Sequence, residues 1–133
     1  MKRLAVILFA AATLAALPAA AADPSGDYRG SFEENGRPVP VLLRLDAGKK
    51  PGEAAGRIRI QEPWACGFDL QFSGTSGDAV IYSFKGAGAG RCMPYSQGFA
   101  RIRPSGLGID IQLLRKDNTG GPTAFLSPMT QSN

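Results

Sequence analysis

The sequence contains no histidine, and it has one tryptophan and two cysteines among its 133 residues. Histidine is the commonest general base and the commonest metal ligand, so its absence excludes Ser-His and Cys-His nucleophilic sites and argues against a metal centre. No glycine-rich segment is followed by the lysine-serine or lysine-threonine pair of a phosphate loop. We therefore expect a non-enzymatic protein without a cofactor or a bound metal.

Long apolar runs are absent except at the N-terminus. The basic start Met1-Lys2-Arg3 precedes the charge-free stretch Leu4–Leu17, and Ala20-Ala21-Ala22 supplies the small residues that signal peptidase requires. The apolar stretch is short for a membrane span, and polar sequence follows it at once. The pattern predicts a signal peptide over residues 1–22 and an exported domain, periplasmic or secreted, over residues 23–133, with no membrane span after cleavage.

Strong charge of one sign is also lacking. Removing Lys2 and Arg3 with the leader lowers the formal net charge of +4 by two units, and the remaining basic residues are interleaved with acids. Such a balanced distribution of charge does not indicate a nucleic acid as partner. We expect a monomer that binds a partner protein, a glycan of the cell envelope or a small ligand.

The exported part alternates apolar and polar residues between glycine-bearing turns, as β-strands do. No segment after the leader has a helical period. The pattern predicts an all-β fold: a single small antiparallel domain of about eight short strands, either barrel-like, which we favour, or a two-sheet β-sandwich. Pro38 and Pro40 cannot donate to a ladder and place the early half of their strand at a sheet edge or barrel rim.

Three hairpins are predicted from their turns. Asn35-Gly36 favours a two-residue turn that sets Phe32 opposite Val39. A three-residue loop ending at Gly77 would set Phe72 opposite Val80, Leu70 opposite Tyr82 and Phe68 opposite Phe84. A turn at Ser105-Gly106 would set Ile102 opposite Ile109 and Arg101 opposite Asp110. The segment Gly86–Gly90 is interpreted as a flexible linker.

Two cysteines in an oxidising compartment predict one disulfide, Cys66–Cys92, which stabilises the fold by about 3 kcal/mol. The bridge would bring Tyr95 and Met93 towards Trp64. Trp64, Met93 and Tyr95 are therefore a candidate binding cluster, partly exposed at one end of the fold. The alternative is that Trp64 packs over the bridge as a lid on the core.

Two R-I-R segments place four arginines on the outer face of their strands: Arg57, Arg59, Arg101 and Arg103. If the two hairpins are neighbours, these side chains converge on one patch that receives a phosphate, uronic acid or carboxylate. The alternative is that the arginines simply pair with acids across each hairpin, Arg57 and Arg59 with Asp69 and Gln71 in the first.

Two further functions stay open. A carboxylate-based hydrolase would use Asp69 and Asp110 as its pair of acids. Both are expected on outward strand positions. Glu33 and Glu34 are likewise expected to be exposed, beside their hairpin turn. A purely structural envelope component would have no ligand site. The layout is similar to that of many exported bacterial β modules, including lipocalin-like domains and small periplasmic inhibitors of lysozyme or proteases. That resemblance covers architecture and implies no site residue.

Overall fold

The computed structural model describes residues 24–129, so the predicted signal peptide lies outside the described residues. Eight antiparallel strands pair in chain order, and the eighth pairs with the first to close a barrel. The all-β prediction and the choice of a barrel over a sandwich are confirmed. The strands are β1 (Gly26–Glu34), β2 (Arg37–Leu45), β3 (Ala54–Ile60), β4 (Cys66–Ser76), β5 (Ala79–Lys85), β6 (Phe99–Ser105), β7 (Gly108–Leu114) and β8 (Gly120–Pro128).

The first hairpin has the predicted register, with Phe32 opposite Val39. Asn35 and Gly36 both take positive φ, 52° and 75°, as the tight turn between two right-twisted strands requires. Pairing of β2 with β3 runs from Val41 to Leu45, so Pro38 and Pro40 lie beyond it, at the barrel rim. The predicted rim position of the two prolines is confirmed.

The registers predicted for the other two hairpins are wrong by two residues. Phe72 pairs with Tyr82 rather than Val80, and Ile102 pairs with Ile111 rather than Ile109. In both hairpins the glycine is the first turn residue instead of the last, with φ of 62° at Gly77 and 57° at Gly106. A slip of two residues preserves strand alternation, so the predicted inner and outer faces still hold.

The connection between β5 and β6 is more ordered than predicted. A 3₁₀ helix, Gly90–Tyr95, follows the glycine-rich segment interpreted as a flexible linker. Gly88 packs so closely that a Cβ there would lie 2.5 Å from the carbonyl oxygen of Cys92. Its backbone N–H also donates to Ser96 Oγ at 2.8 Å. Because Gly88 has no side chain, the segment packs directly against the backbone of the 3₁₀ helix and does not form the flexible linker that was predicted.

The barrel interior is filled with apolar side chains from every strand, and none of the buried side chains described is polar or charged. Members with almost no exposed surface include Leu43, Ile58, Leu70, Ile102 and Leu126. Alternation directs these residues inwards and their neighbours to solvent. Charged side chains are consequently confined to the outer face and the two ends of the barrel.

Within residues 24–129, the structure contains no helix long and apolar enough to cross a membrane.

Candidate functional site

One end of the barrel is closed by the loop before β4 and by the 3₁₀ helix, which the predicted disulfide joins. Cys66 at the start of β4 is bonded to Cys92 in the helix, with the Cα atoms 6.1 Å apart. Trp64, in the loop two residues before Cys66, has 9 % of its surface exposed. Its ring meets Phe32 edge-to-face at 5.0 Å and stacks with Tyr95 at 6.0 Å. We call this the closed end.

Polar contacts hold the closed end together. The Trp64 indole N–H donates to Glu34 Oε2 at 2.9 Å, and the same carboxylate forms an ion pair with Arg91. The Arg115 guanidinium lies 5.5 Å from the centre of the Tyr95 ring, within the range of a cation–π interaction. Glu34 is half-buried between these partners, so the prediction that it is exposed is wrong.

The candidate binding cluster is brought together but is not the exposed surface that was expected. Trp64 and Tyr95 are both buried, at 9 % and 6 % exposed, whereas Met93 is 63 % exposed. The buried rings match the alternative prediction of a lid on the core. Met93 is the cluster member that presents apolar surface to solvent, and binding by the cluster stays a prediction.

The four candidate arginines do not converge on one patch. Arg57 and Arg59 lie on β3 and Arg101 and Arg103 on β6, with two strands between them. Arg57 Nε is 3.1 Å from Asp69 Oδ1, which confirms one predicted cross-strand pair, but Arg59 faces Gly67 rather than Gln71.

The predicted contact between Arg101 and Asp110 is wrong. The two-residue shift of the hairpin sets Arg101 opposite Gln112 and Arg103 opposite Asp110. Arg103 Nε lies 3.3 Å from Asp78 Oδ1. Among residues 24–129, neither Arg59 nor Arg101 forms an ion pair with a carboxylate. Each strand therefore carries one neutralised arginine and one whose charge has no counterion.

Charged side chains form a row across the outer face of five strands. The register places Asp27 beside Arg44, Arg44 beside Arg57, Arg57 beside Asp69 and Asp69 beside Lys85. Directly opposite residues in antiparallel strands are close neighbours, and like charges in such positions repel. Arg44 and Arg57 therefore repel each other, and the Arg57–Asp69 ion pair and the neighbouring Asp27 offset part of this repulsion.

Arg59 extends the basic surface to the next row. Its cross-strand neighbours are Leu42 on β2 and Gly67 on β4, so no acid faces it across either strand. We define Arg44, Arg57, Arg59 and Lys85 as the cationic face. These four side chains border one open depression of about 690 Å³, together with Leu42 and the three acids Asp27, Asp46 and Asp69.

Asp69 and Asp110 occupy different depressions. Asp69 borders the cationic face, whereas Asp110 lies beside Arg103 and Phe125 on the other side of the barrel. A glycosidase-like pair requires both carboxyl groups across one cleft. Among residues 24–129 no group of three histidine, cysteine or acidic side chains is placed to hold a metal ion.

Sequence reasoning missed several residues that matter at both places. Glu34 shares strand parity with Phe32 and Tyr28, and this signal could have placed it on the inner face. Arg44 follows the inward-facing Leu43, so its outward direction was readable. The position of Arg44 opposite Arg57 depends on the register between β2 and β3. The long loop that connects these strands does not determine that register.

Comparisons with protein-family models, with curated proteins and with solved structures give no match to this chain. A small disulfide-bonded β domain is compatible with an exported protein, and beyond that its function must be inferred from the geometry of its own residues.

Proposed function

We propose that this chain is an exported, non-enzymatic β-barrel domain that binds carboxylate or phosphate groups of a cell-envelope glycan on its cationic face. The observation that carries the proposal is the direct cross-strand pairing of Arg44 with Arg57. Like charges directly opposite each other in a sheet repel, and the ion pair of Arg57 with Asp69 offsets only one of these two charges. A bound carboxylate or phosphate would turn this repulsion into two attractive contacts.

The chemistry of the surrounding residues supports an anionic ligand. Arg44 and Arg59 form no ion pair within the described residues, so their guanidinium groups are available to donate two parallel hydrogen bonds to an oxyanion. Asp69 is engaged by Arg57, Asp27 lies opposite Arg44, and Asp46 follows the end of β2. The volume of the depression, about 690 Å³, is within the usual range for ligand sites.

Export is the second part of the proposal. The basic and then charge-free N-terminal sequence supports cleavage before Asp23 and a periplasmic or secreted location. The Cys66–Cys92 bridge supports an oxidising compartment. An envelope glycan is a polymer that such a protein meets in either location.

Isothermal titration calorimetry of the purified oxidised protein tests the ligand. Polygalacturonate supplies carboxylates, sodium polyphosphate supplies phosphates, and dextran is the neutral control. We expect saturable binding to at least one of the two anions, weakening as salt is raised, and none to dextran. Absence of binding to both anions contradicts the proposal.

A pair of charge-matched variants locates the site. Arg44→Gln with Arg59→Gln removes two cations that form no ion pair, so folding should be retained. Arg37→Gln with Lys116→Gln removes the same charge from exposed positions elsewhere, at the start of β2 and in the turn after β7. We expect at least a tenfold loss of affinity in the first variant and less than a twofold loss in the second. Equal losses in both would mean that overall charge, and not the cationic face, attracts the polymer.

A further inference from the structure

Arg101 differs from the other three candidate arginines in one respect. Its Nε–H is buried and, within residues 24–129, has no hydrogen-bond acceptor. The side chain as a whole is half-buried on the outer face of β6. A buried donor without an acceptor is unfavourable, and native proteins leave few of them. The guanidinium of Arg101 thus gains a missing interaction if an acceptor binds beside it.

A depression of about 470 Å³ lies next to Arg101, and its composition is unusual for this surface. Arg101 is the one charged side chain among the described residues that line it. Three half-buried apolar side chains form part of the wall, and two amide side chains supply further donors. These neighbours are Ile81, Phe99, Leu114, Gln112 and Asn118.

Among the described residues, no acid lines this depression. Arg103 is bound by Asp78, and Asp110 lines a neighbouring depression that shares Arg101 and Gln112 with this one. Arg101 instead has Ile81 and Gln112 as its cross-strand neighbours. An incoming anion would meet one unneutralised guanidinium and no carboxylate in the lining.

We propose that this depression binds a small amphipathic carboxylate, an acid whose body is apolar. The carboxylate accepts two parallel hydrogen bonds from the planar guanidinium of Arg101, one of them from Nε–H once the side chain turns towards the depression. The amide of Gln112 donates to the same group. The apolar body lies along Phe99 and Leu114, where its burial drives binding. This site shares no lining residue with the cationic face and does not depend on it.

Two-dimensional NMR of the ¹⁵N-labelled oxidised protein tests the site, with octanoate as the probe and octan-1-ol as its neutral counterpart. We expect octanoate, below its micelle concentration, to shift the amide signals of Phe99, Gln112 and Leu114 in a saturable way. Octan-1-ol should bind at least tenfold more weakly. Shifts centred elsewhere, no saturable shifts, or equal binding of the alcohol would overturn the proposal.

Variants separate Arg101 from its neighbour on the same strand. Arg101→Gln should weaken octanoate binding at least tenfold, and Arg103→Gln, which removes the same charge, should change it less than twofold. Far-UV circular dichroism checks that each variant is folded. If Arg101→Gln does not fold, Arg101→Lys replaces it, since a lysine keeps the charge without the fork and should still weaken binding severalfold. Unchanged octanoate affinity in the folded Arg101 variant refutes the proposal.

Discussion

Replacing Trp64 with alanine should cause a large loss of stability, because Trp64 closes one end of the core. Its side chain is 9 % exposed, and it contacts the rings of Phe32 and Tyr95. Truncating a buried tryptophan to alanine costs about 3–5 kcal/mol through lost burial and the cavity left behind. A small domain has a total free energy of unfolding of about 5–15 kcal/mol, so this is a substantial fraction.

The hydrogen bond can be separated from the packing by a second variant. Trp64→Phe keeps an aromatic ring but removes the indole N–H that donates to Glu34 at 2.9 Å. A hydrogen bond to a charged group contributes about 1.5–3 kcal/mol. Glu34 keeps its ion pair with Arg91, and its side chain is 27 % exposed, so water replaces part of the lost bond. We expect a loss of about 1–2 kcal/mol from the missing donor and the smaller ring.

Urea denaturation followed by far-UV circular dichroism measures both effects, since the variants lack the tryptophan that fluorescence would report. Met93→Ala is the control, because Met93 belongs to the same predicted cluster but is 63 % exposed. It should change the free energy of unfolding by less than about 0.5 kcal/mol. A cost below about 1 kcal/mol for Trp64→Ala would refute the role of Trp64 as a core residue and restore it as an exposed binding residue.

Three further outcomes are expected. Replacing Cys66 and Cys92 by serine should lower the free energy of unfolding by about 3–4 kcal/mol, as the bridge spans 26 residues; urea denaturation measures this, and an unchanged midpoint would contradict it. Arg101→Met removes the buried Nε donor at similar length, so calorimetric unfolding should show unchanged stability or a gain of about 1 kcal/mol rather than a loss. The Thr119 hydroxyl and backbone N–H hold the pKa of Asp117 below its ordinary value, so Thr119→Val should raise this pKa in an NMR titration. Because the folded-state pKa of Asp117 is depressed, its contribution to folding stability is present above the unfolded-state pKa and is lost as pH falls through the folded-state pKa. A pKa of Asp117 that the substitution leaves unchanged would show that Thr119 does not cause the depression.

The two misplaced hairpins show what local sequence leaves undecided. At Asn35-Gly36 both turn residues tolerate positive φ, so one register is strongly favoured. At Gly77 and Gly106 a single glycine sits among ordinary residues and fits either turn position. Cross-strand packing then selects the register, and this selection moved Arg101 from Asp110 to Gln112. A charged pair expected from sequence was thereby replaced by an arginine without a counterion.

At the closed end, too, some features could be predicted from the sequence and others depend on contacts between residues far apart in the chain. Spacing and compartment were enough to predict the disulfide and the proximity of Trp64 to Tyr95. The polar partners of Trp64 come from distant segments: Glu34 accepts its indole N–H and forms an ion pair with Arg91. Partners brought together over such separations are set by barrel closure, which no local pattern specifies.

By itself, the sequence determined the all-β class, the first hairpin, the disulfide and the inner or outer face of each strand, because these follow from strand alternation and turn chemistry between near neighbours. The tertiary structure alone decided which outer residues of different strands stand side by side: Arg44 against Arg57 across a long loop, and Arg101 against Gln112. The physical reason is that lateral position depends on register and closure, and both are fixed by packing of the whole core.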